Sequence, residues 1–230
     1  MKLPLIVSLP HAGLEIPDEL KDYCILSDEE IVKDGDEGAW EIYQELEATV
    51  EAFQTTDIAR AFVDINRAAD DIRLDGVVKT HTTWNQPVCN RELPAELVET
   101  LIEKYWKPYH ENLSKLSRKG VKLGIDCHTM AAVGPPVGPD TGKKRPAICL
   151  SNAEGTCPED LIMRMADCFE DAFREKVRIN DPFTGGYIIR THASELPWVQ
   201  IEISRGDFMS VAEKKARTLS AINTLGAQLL

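Results

Sequence analysis

No run of apolar residues in this chain approaches the length of a membrane span, and Met1-Lys2-Leu3-Pro4 leads straight into a first strand without the charged and apolar regions of a secretory signal. A cytoplasmic location is the expectation. Positive charge is also in short supply. Twenty-six Lys and Arg against 38 Asp and Glu give a formal net charge of -12, which argues against nucleic acid or an anionic membrane as a general partner. A local basic pocket for a small substrate is still possible. The six cysteines (Cys24, Cys89, Cys127, Cys149, Cys157 and Cys168) show no CxxC spacing, so they read as reduced and mostly buried. There is no GxGxxG, no phosphate-binding glycine loop with its lysine, and no HExxH.

What is present suits a packed domain. Hydrophobic residues make up 43% of the 230, ample for a core and incompatible with disorder. No linker, repeat or low-complexity segment interrupts the chain, so residues 1–230 read as one domain. Apolar strands at 5–7, 58–63, 121–128, 146–150, 177–180, 188–191 and 199–204 alternate with helices predicted over 37–53, 95–118, 157–173 and 211–229. A short strand at 77–78 and a short helix near 18–23 are also expected, within a stretch from 14 to 31 that is otherwise irregular. Pro108 should kink the second long helix. The pattern is that of an α/β protein, a three-layer sandwich around a mostly parallel or mixed sheet.

In such folds ligands bind beyond the carboxyl ends of the strands. The predicted strand exits carry His11, Asp64-Ile65-Asn66-Arg67, Asp126-Cys127-His128, Gly185-Gly186 and Glu202 to Arg205. His11 sits in Ser8-Leu9-Pro10-His11-Ala12-Gly13, where proline and glycine frame it rigidly. Asp126 and His128 are two apart and share a strand face, so both could ligate a metal, or Asp126 could orient His128. Two imidazoles and a carboxylate around an open position make a hydrolytic zinc site. Asp36 is the preferred carboxylate and Glu37 the alternative; Asp34 and Asp36 could equally cap the helix that follows. Glu202 shares its strand face with Gln200 and Ser204, and burial there is costly without a purpose. It either serves as a general base or pairs with Arg190 or Arg205. Arg67 and Arg205 can fork onto a substrate carboxylate or form structural ion pairs. Asp64 and Asn66 could brace Arg67, and Gly186 would let backbone approach a ligand. His110 could face the site from its helix, whereas His81 and His192 read as ordinary loop residues.

Taken together, these segments resemble the N-formylglutamate amidohydrolase family. The resemblance rests on Ser8-x-Pro10-His11-x-Gly13, Asp36-x-Gly38-Ala39, Asp64-x-Asn66-Arg67, Pro108-Tyr109-His110, Asp126-x-His128, Pro182-Phe183-x-Gly185-Gly186-Tyr187 and Gln200-Ile201-Glu202-Ile203-x-Arg205, in order along the chain. It implies a phosphorylase/hydrolase-like, zinc-peptidase-like fold, one Zn2+ per chain, and hydrolysis of the amide of a small N-acyl amino acid, best N-formyl-L-glutamate. It further implies His11, Asp36 (or Glu37) and His128 as metal ligands and Glu202 as the group that moves the proton. Arg67 and Arg205, with Asn66 and Gly186, would bind the substrate, and Asp64 and Asp126 would support the site.

Overall fold

The computed structural model describes residues 2–117, 120–138 and 140–230. Six strands form one sheet: β1 (Leu3–Leu9), β2 (Val50–Thr55), β3 (Leu123–Met130), β4 (Ile148–Ser151), β5 (Val177–Ile179) and β6 (Trp198–Ser204), in the order β2-β1-β3-β6-β4-β5. All neighbours run parallel except β4 against β6. The sheet is therefore mixed, and its three central strands end at the same edge.

Strand alternation sends the central residues to two different environments. Leu5, Val7 and Leu9, Leu123, Ile125 and Cys127, and Val199, Ile201 and Ile203 bury against α2 (Ala39–Tyr43), α5 (Glu159–Phe173) and α7 (Val211–Leu229). The opposite face carries Ile6 and Trp198 at its base. These pack with Tyr109 and Leu113 of α4 (Lys107–Leu116), Leu101 of α3 (Ala95–Leu101) and Ile188 and Ile189 of α6 (Tyr187–Thr191). Higher on that face the side chains become Ser8, Asp126, His128, Gln200 and Glu202, all buried. Register sets Ser8 beside Asp126 and His128 beside Glu202. Polar groups thus collect at the carboxyl edge of an otherwise apolar face, where period-2 geometry puts them.

Several predicted elements are different. The helix expected over 37–53 is α2, then a tight helical turn at Gln44–Ala48, then edge strand β2. Ala39, Ile42, Tyr43 and Leu46 do bury as the helical spacing requires, but Val50 opens a strand in which Val50 and Ala52 face inward and Glu51 is exposed. The apolar run 58–63 is no strand. Its backbone closes local turns, such as Phe62 N–H to the Ala59 carbonyl, and makes isolated bridges from Ile58 to Glu15 and from Val63 to Val78. The strand at 77–78 shrinks to the bridge at Val78. Short apolar runs carry no periodicity that separates a buried strand from a buried turn. For the same reason 188–191 lies in α6, not a strand.

The stretch 14–31 also conceals the start of α1 (Asp28–Asp34), announced by a capping box between Ser27 and Glu30. The predicted long helix is α3 and α4 joined by a π-helical segment, Ile102–Trp106, whose widened turn bonds Lys107 N–H to the Ile102 carbonyl just ahead of Pro108. Its expected end at Arg118 lies outside the described residues. Among the described residues no helix is long and apolar enough to cross a membrane.

Candidate metal centre

His11 lies in the turn after β1, separated from the strand end by Pro10. Gly13 lets the chain turn against the Thr56–Asp57 backbone, where a Cβ would fall 2.4 Å from Asp57. The His11 carbonyl accepts from Asp36 N–H, which draws the turn after α1 over the strand end. Asp36 then projects toward both histidines: its Oδ2 lies 2.8 Å from His128 Nδ1 and 3.6 Å from His11 Nδ1. Ligand atoms of His11, Asp36 and His128 all fall within 4.8 Å of one another, and all three residues are buried. Of the two carboxylates left open by the sequence, Asp36 is the one brought to the histidines. Glu37 is exposed, and its carbonyl accepts from the Thr129 hydroxyl.

The outer nitrogen of each ring faces a carboxylate. His11 Nε2 lies 2.9 Å from Asp64 Oδ1 and His128 Nε2 2.8 Å from Asp126 Oδ2. Such pairing holds a ring and keeps its other nitrogen available to a metal. His11 Nδ1 is buried and has no hydrogen-bond partner among the described residues. A buried orphan nitrogen, a second imidazole and a carboxylate form a donor set suited to a zinc-like ion. The charges agree. Burial alone would raise the Asp36 and Asp64 carboxyls, yet the histidines, with Arg60 at Asp64, hold both well below the usual range. His128 is raised despite burial, because Asp126 and Asp36 favour its charged form. A metal cation would replace that proton between the ring and Asp36.

Glu202 stands beside His128 across the β3–β6 pair and is buried. Neither Arg190 nor Arg205 reaches it: Arg190 donates to Gly185 and Thr184, and Arg205 to the Gly35 carbonyl. Its neighbour is Gln200, whose Nε2 donates to it at 2.9 Å while Gln200 Oε1 accepts from Gly186 N–H. Burial, opposed by His128 and reinforced by Asp36, pushes the Glu202 carboxyl up to about 7.

These groups open on a cavity of about 480 Å³, in the usual range for a small ligand. Arg67 and Arg205 both line it. Arg67 pairs with Asp75 at 3.0 Å; Arg205 has no carboxylate partner among the described residues. Asn66 also lines it, but its amide donates to Asp126, lies 3.2 Å from His128 Nε2, and accepts from Ile188 N–H. Gly186 packs so close to Asn66 that a Cβ would lie 2.4 Å from the amide. Asp64–Arg67 form a buried turn, not a strand exit. His110 does not line the cavity, and His192, expected in an ordinary loop, is buried against it with Nε2 3.0 Å from His110 Nδ1.

Two cations escaped the sequence reading. Arg60 lines the cavity, donates to Asp64 at 2.9 Å and approaches Asp36 at 3.7 Å. Lys79 is fully buried on Asp34 at 2.8 Å. The available signal for Arg60 was a single charge inside the apolar run 58–63, which needs a buried partner; Lys79, between Val77-Val78 and a polar stretch, gave no such signal.

Comparison with known proteins adds to the geometry. A sequence profile described as N-formylglutamate amidohydrolase matches residues 3–209. An N-formylglutamate deformylase of Pseudomonas putida is 26% identical, over 92% of this chain and 84% of its own length. The crystal structure of an N-formylglutamate amidohydrolase from Ralstonia eutropha has a TM-score of 0.77 at 20% identity, covering 97% of this chain and 93% of that one. A gene product of Agrobacterium tumefaciens gives 0.76 at 18% identity, covering 99% and 89%. These two likenesses establish the shared α/β fold.

Proposed function

Because the chain belongs to the N-formylglutamate amidohydrolase family, we propose that it is a Zn2+-dependent hydrolase of N-acyl amino acids that converts N-formyl-L-glutamate and water to formate and L-glutamate. The observation that carries this reading is the convergence of His11, Asp36 and His128 with Glu202 at one cavity. Six free cysteines suit the reducing cytoplasm in which we place it.

His11 and His128, through Nδ1, and Asp36, through its carboxylate, would hold the metal. Bound there, Zn2+ supplies Lewis acidity that lowers the pKa of water and polarises an acyl oxygen. Glu202 takes the proton of the attacking water and returns it to the departing amine nitrogen. Burial, which favours the protonated carboxyl, helps Glu202 hold the proton between the two halves of that transfer. Gln200 keeps the Glu202 carboxylate aimed, since its own amide is fixed by Gly186. Arg205, with no carboxylate partner among the described residues, receives a substrate carboxylate, and Arg67 can leave Asp75 for a second. Asn66 and Gly186, whose polar groups are already engaged, shape the wall.

Trp84, Met130, Val137 and Phe183 also line the cavity. They favour a second reading, a deacylase for an N-acyl amino acid with a longer acyl group. A panel of N-acyl amino acids assayed for the released acid separates the two, with Glu202→Gln as control and metal content measured alongside. Formate release from N-formyl-L-glutamate that vanishes in the variant supports the first. Turnover only of longer acyl groups selects the second. Binding without turnover of any of them refutes both in favour of a non-catalytic relative.

A further inference from the structure

The motif Pro108-Tyr109-His110 has no place in the chemistry above, yet its residues grip the site from behind. Trp106, Tyr109, His110 and Leu113 lie on one face of the helix. Three of them bond to what carries the site. Tyr109 Oη contacts Ser8 Oγ at 2.9 Å, and Ser8 donates to Asp126 at 2.8 Å. Trp106 Nε1 donates to the Arg67 carbonyl at 2.8 Å, and His110 Nε2 lies 3.0 Å from the Ile65 carbonyl. Two carbonyls of the Asp64–Arg67 turn are therefore held by side chains of one helix. That turn carries Asp64, on His11, and Asn66, on Asp126 and His128.

Proton counting constrains the histidine. A carbonyl only accepts, so His110 Nε2 carries a proton. His110 Nδ1 faces His192 Nε2 at 3.0 Å, and that contact needs one proton. His192 Nδ1 faces Glu195 Oε2 at 3.1 Å, and an ionised Glu195, also accepting from Ser114 at 2.6 Å, needs a proton from the ring. Three ring protons must be shared by two imidazoles, one more than two neutral rings hold.

We infer that Glu195, His192 and His110 form a buried relay in which His192 is the imidazolium and His110 the neutral Nε2–H tautomer, and that this relay positions the Asp64–Arg67 turn behind the metal centre. Other groups around the pair agree with that division. Burial pushes His110 down to about 4, with His192 opposing its charge and Asp126 and Glu195 pulling weakly the other way. Trp106, Tyr109 and Tyr187 pack their rings on it. Glu195 is held below the usual carboxylate range because hydrogen bonds from Ser114 and His192 outweigh burial. All three are positioning residues, and the consequence for metal binding rests on the function proposed above.

The test has two independent readouts. Nitrogen-15 NMR of the histidine rings at pH 7 should show both ring nitrogens of His192 protonated and only Nε2 of His110. Two neutral rings, or His110 protonated at Nδ1 alone, would overturn the relay whether or not the protein binds metal. Zn2+ affinity, by competition with a chelator, should fall about tenfold in His110→Phe, the low end for residues supporting metal ligands. It should recover to within about threefold in His110→Gln, whose amide N–H can replace Nε2–H. Glu195→Gln should leave His192 neutral, since a flipped amide can donate to Nδ1, with affinity close to wild type. Wild-type Zn2+ binding with an unchanged His110→Phe would sink the positioning role alone. No Zn2+ binding by wild type would instead sink the functional reading, and the NMR result would still decide the relay. Should His110→Phe not fold, the His110→Gln and Glu195→Gln ring spectra carry the test.

Discussion

Replacing Asp64 with Asn removes a single negative charge and tests whether His11 is poised for a metal. Asp64 accepts from three donors: Oδ1 from His11 Nε2 at 2.9 Å and from Asn66 N–H at 3.0 Å, and Oδ2 from Arg60 Nε at 2.9 Å. An asparagine has one oxygen for these two sides. Whichever way its amide turns, an N–H meets either the His11 N–H or the Arg60 guanidinium. The ring is then free to shift its proton toward Nδ1, the atom a metal would use. Loss of such a partner weakens metal binding about 10–100-fold, or about 1.4–2.7 kcal/mol. The assay is thermal unfolding with and without Zn2+, read as the Zn2+-induced increment, because the substitution also disturbs Arg60 and Lys79 and lowers the metal-free Tm. At Zn2+ 100 times the wild-type Kd, binding stabilises wild type by about 2.7 kcal/mol. For a chain of this length that is roughly 5–11 °C. In the variant at the same Zn2+ the gain drops to about 1.4 kcal/mol for a tenfold loss and about 0.4 for a hundredfold loss. An Asp64→Asn increment equal to wild type would refute the argument, since it would mean that the His11–Asp64 contact does not prepare the ring for a metal.

Glu202→Gln should abolish turnover while retaining Zn2+, and should stabilise the metal-free protein with a definite pH dependence. The folded carboxyl, near 7 against 4.5 unfolded, favours its proton, so wild type loses stability as pH rises from 4.5 through 7. The variant should gain up to about 3 kcal/mol over metal-free wild type above pH 7 and little at pH 4.5; a gain largest at low pH would contradict this. Arg205→Ala should lower kcat/KM for an N-acyl amino acid by about 10–100-fold, mostly through KM, the worth of a charge-assisted hydrogen bond. An Arg67→Ala effect larger than that would reverse the assignment. Lys79→Ala leaves Asp34 buried and without its cation, and should cost about 3–5 kcal/mol in urea unfolding, whereas Asp34→Asn combined with Lys79→Met should recover much of it.

The central strands β1, β3 and β6 and the polar edge of their inner face were legible because strands impose a two-residue period. Asp126 with His128, and Gln200 with Glu202, could be placed on a shared face from spacing alone. Helices α5 and α7 were legible from their apolar stripes. The turns were not. Residues 58–67 bury their side chains in a folded-back segment whose local pattern is that of a strand, so Asp64 and Asn66 could be suspected but their partners could not be named. Choosing between Asp36 and Glu37 depended on the turn between α1 and α2, where one residue separates a carboxylate facing two histidines from one facing water. Arg60, Lys79 and the His110–His192 pair depend on partners 4 to 82 residues away, and no periodicity encodes which distant charge or ring will arrive.

The chain positions of the central strands have a consequence for how the protein is made. β1, β3 and β6 come from the beginning, middle and end of the chain, and each contributes or delivers one member of the site. Closing those pairings means closing long loops before any contact rewards them, which slows folding and delays the site until nearly the whole sheet exists. The nascent chain therefore has no early, local metal pocket of the kind that nucleates a zinc finger. A metal ion held by His11, Asp36 and His128 would arrive at a finished sheet, where it would slow unfolding but find little to grip in the chain that is still searching for its fold.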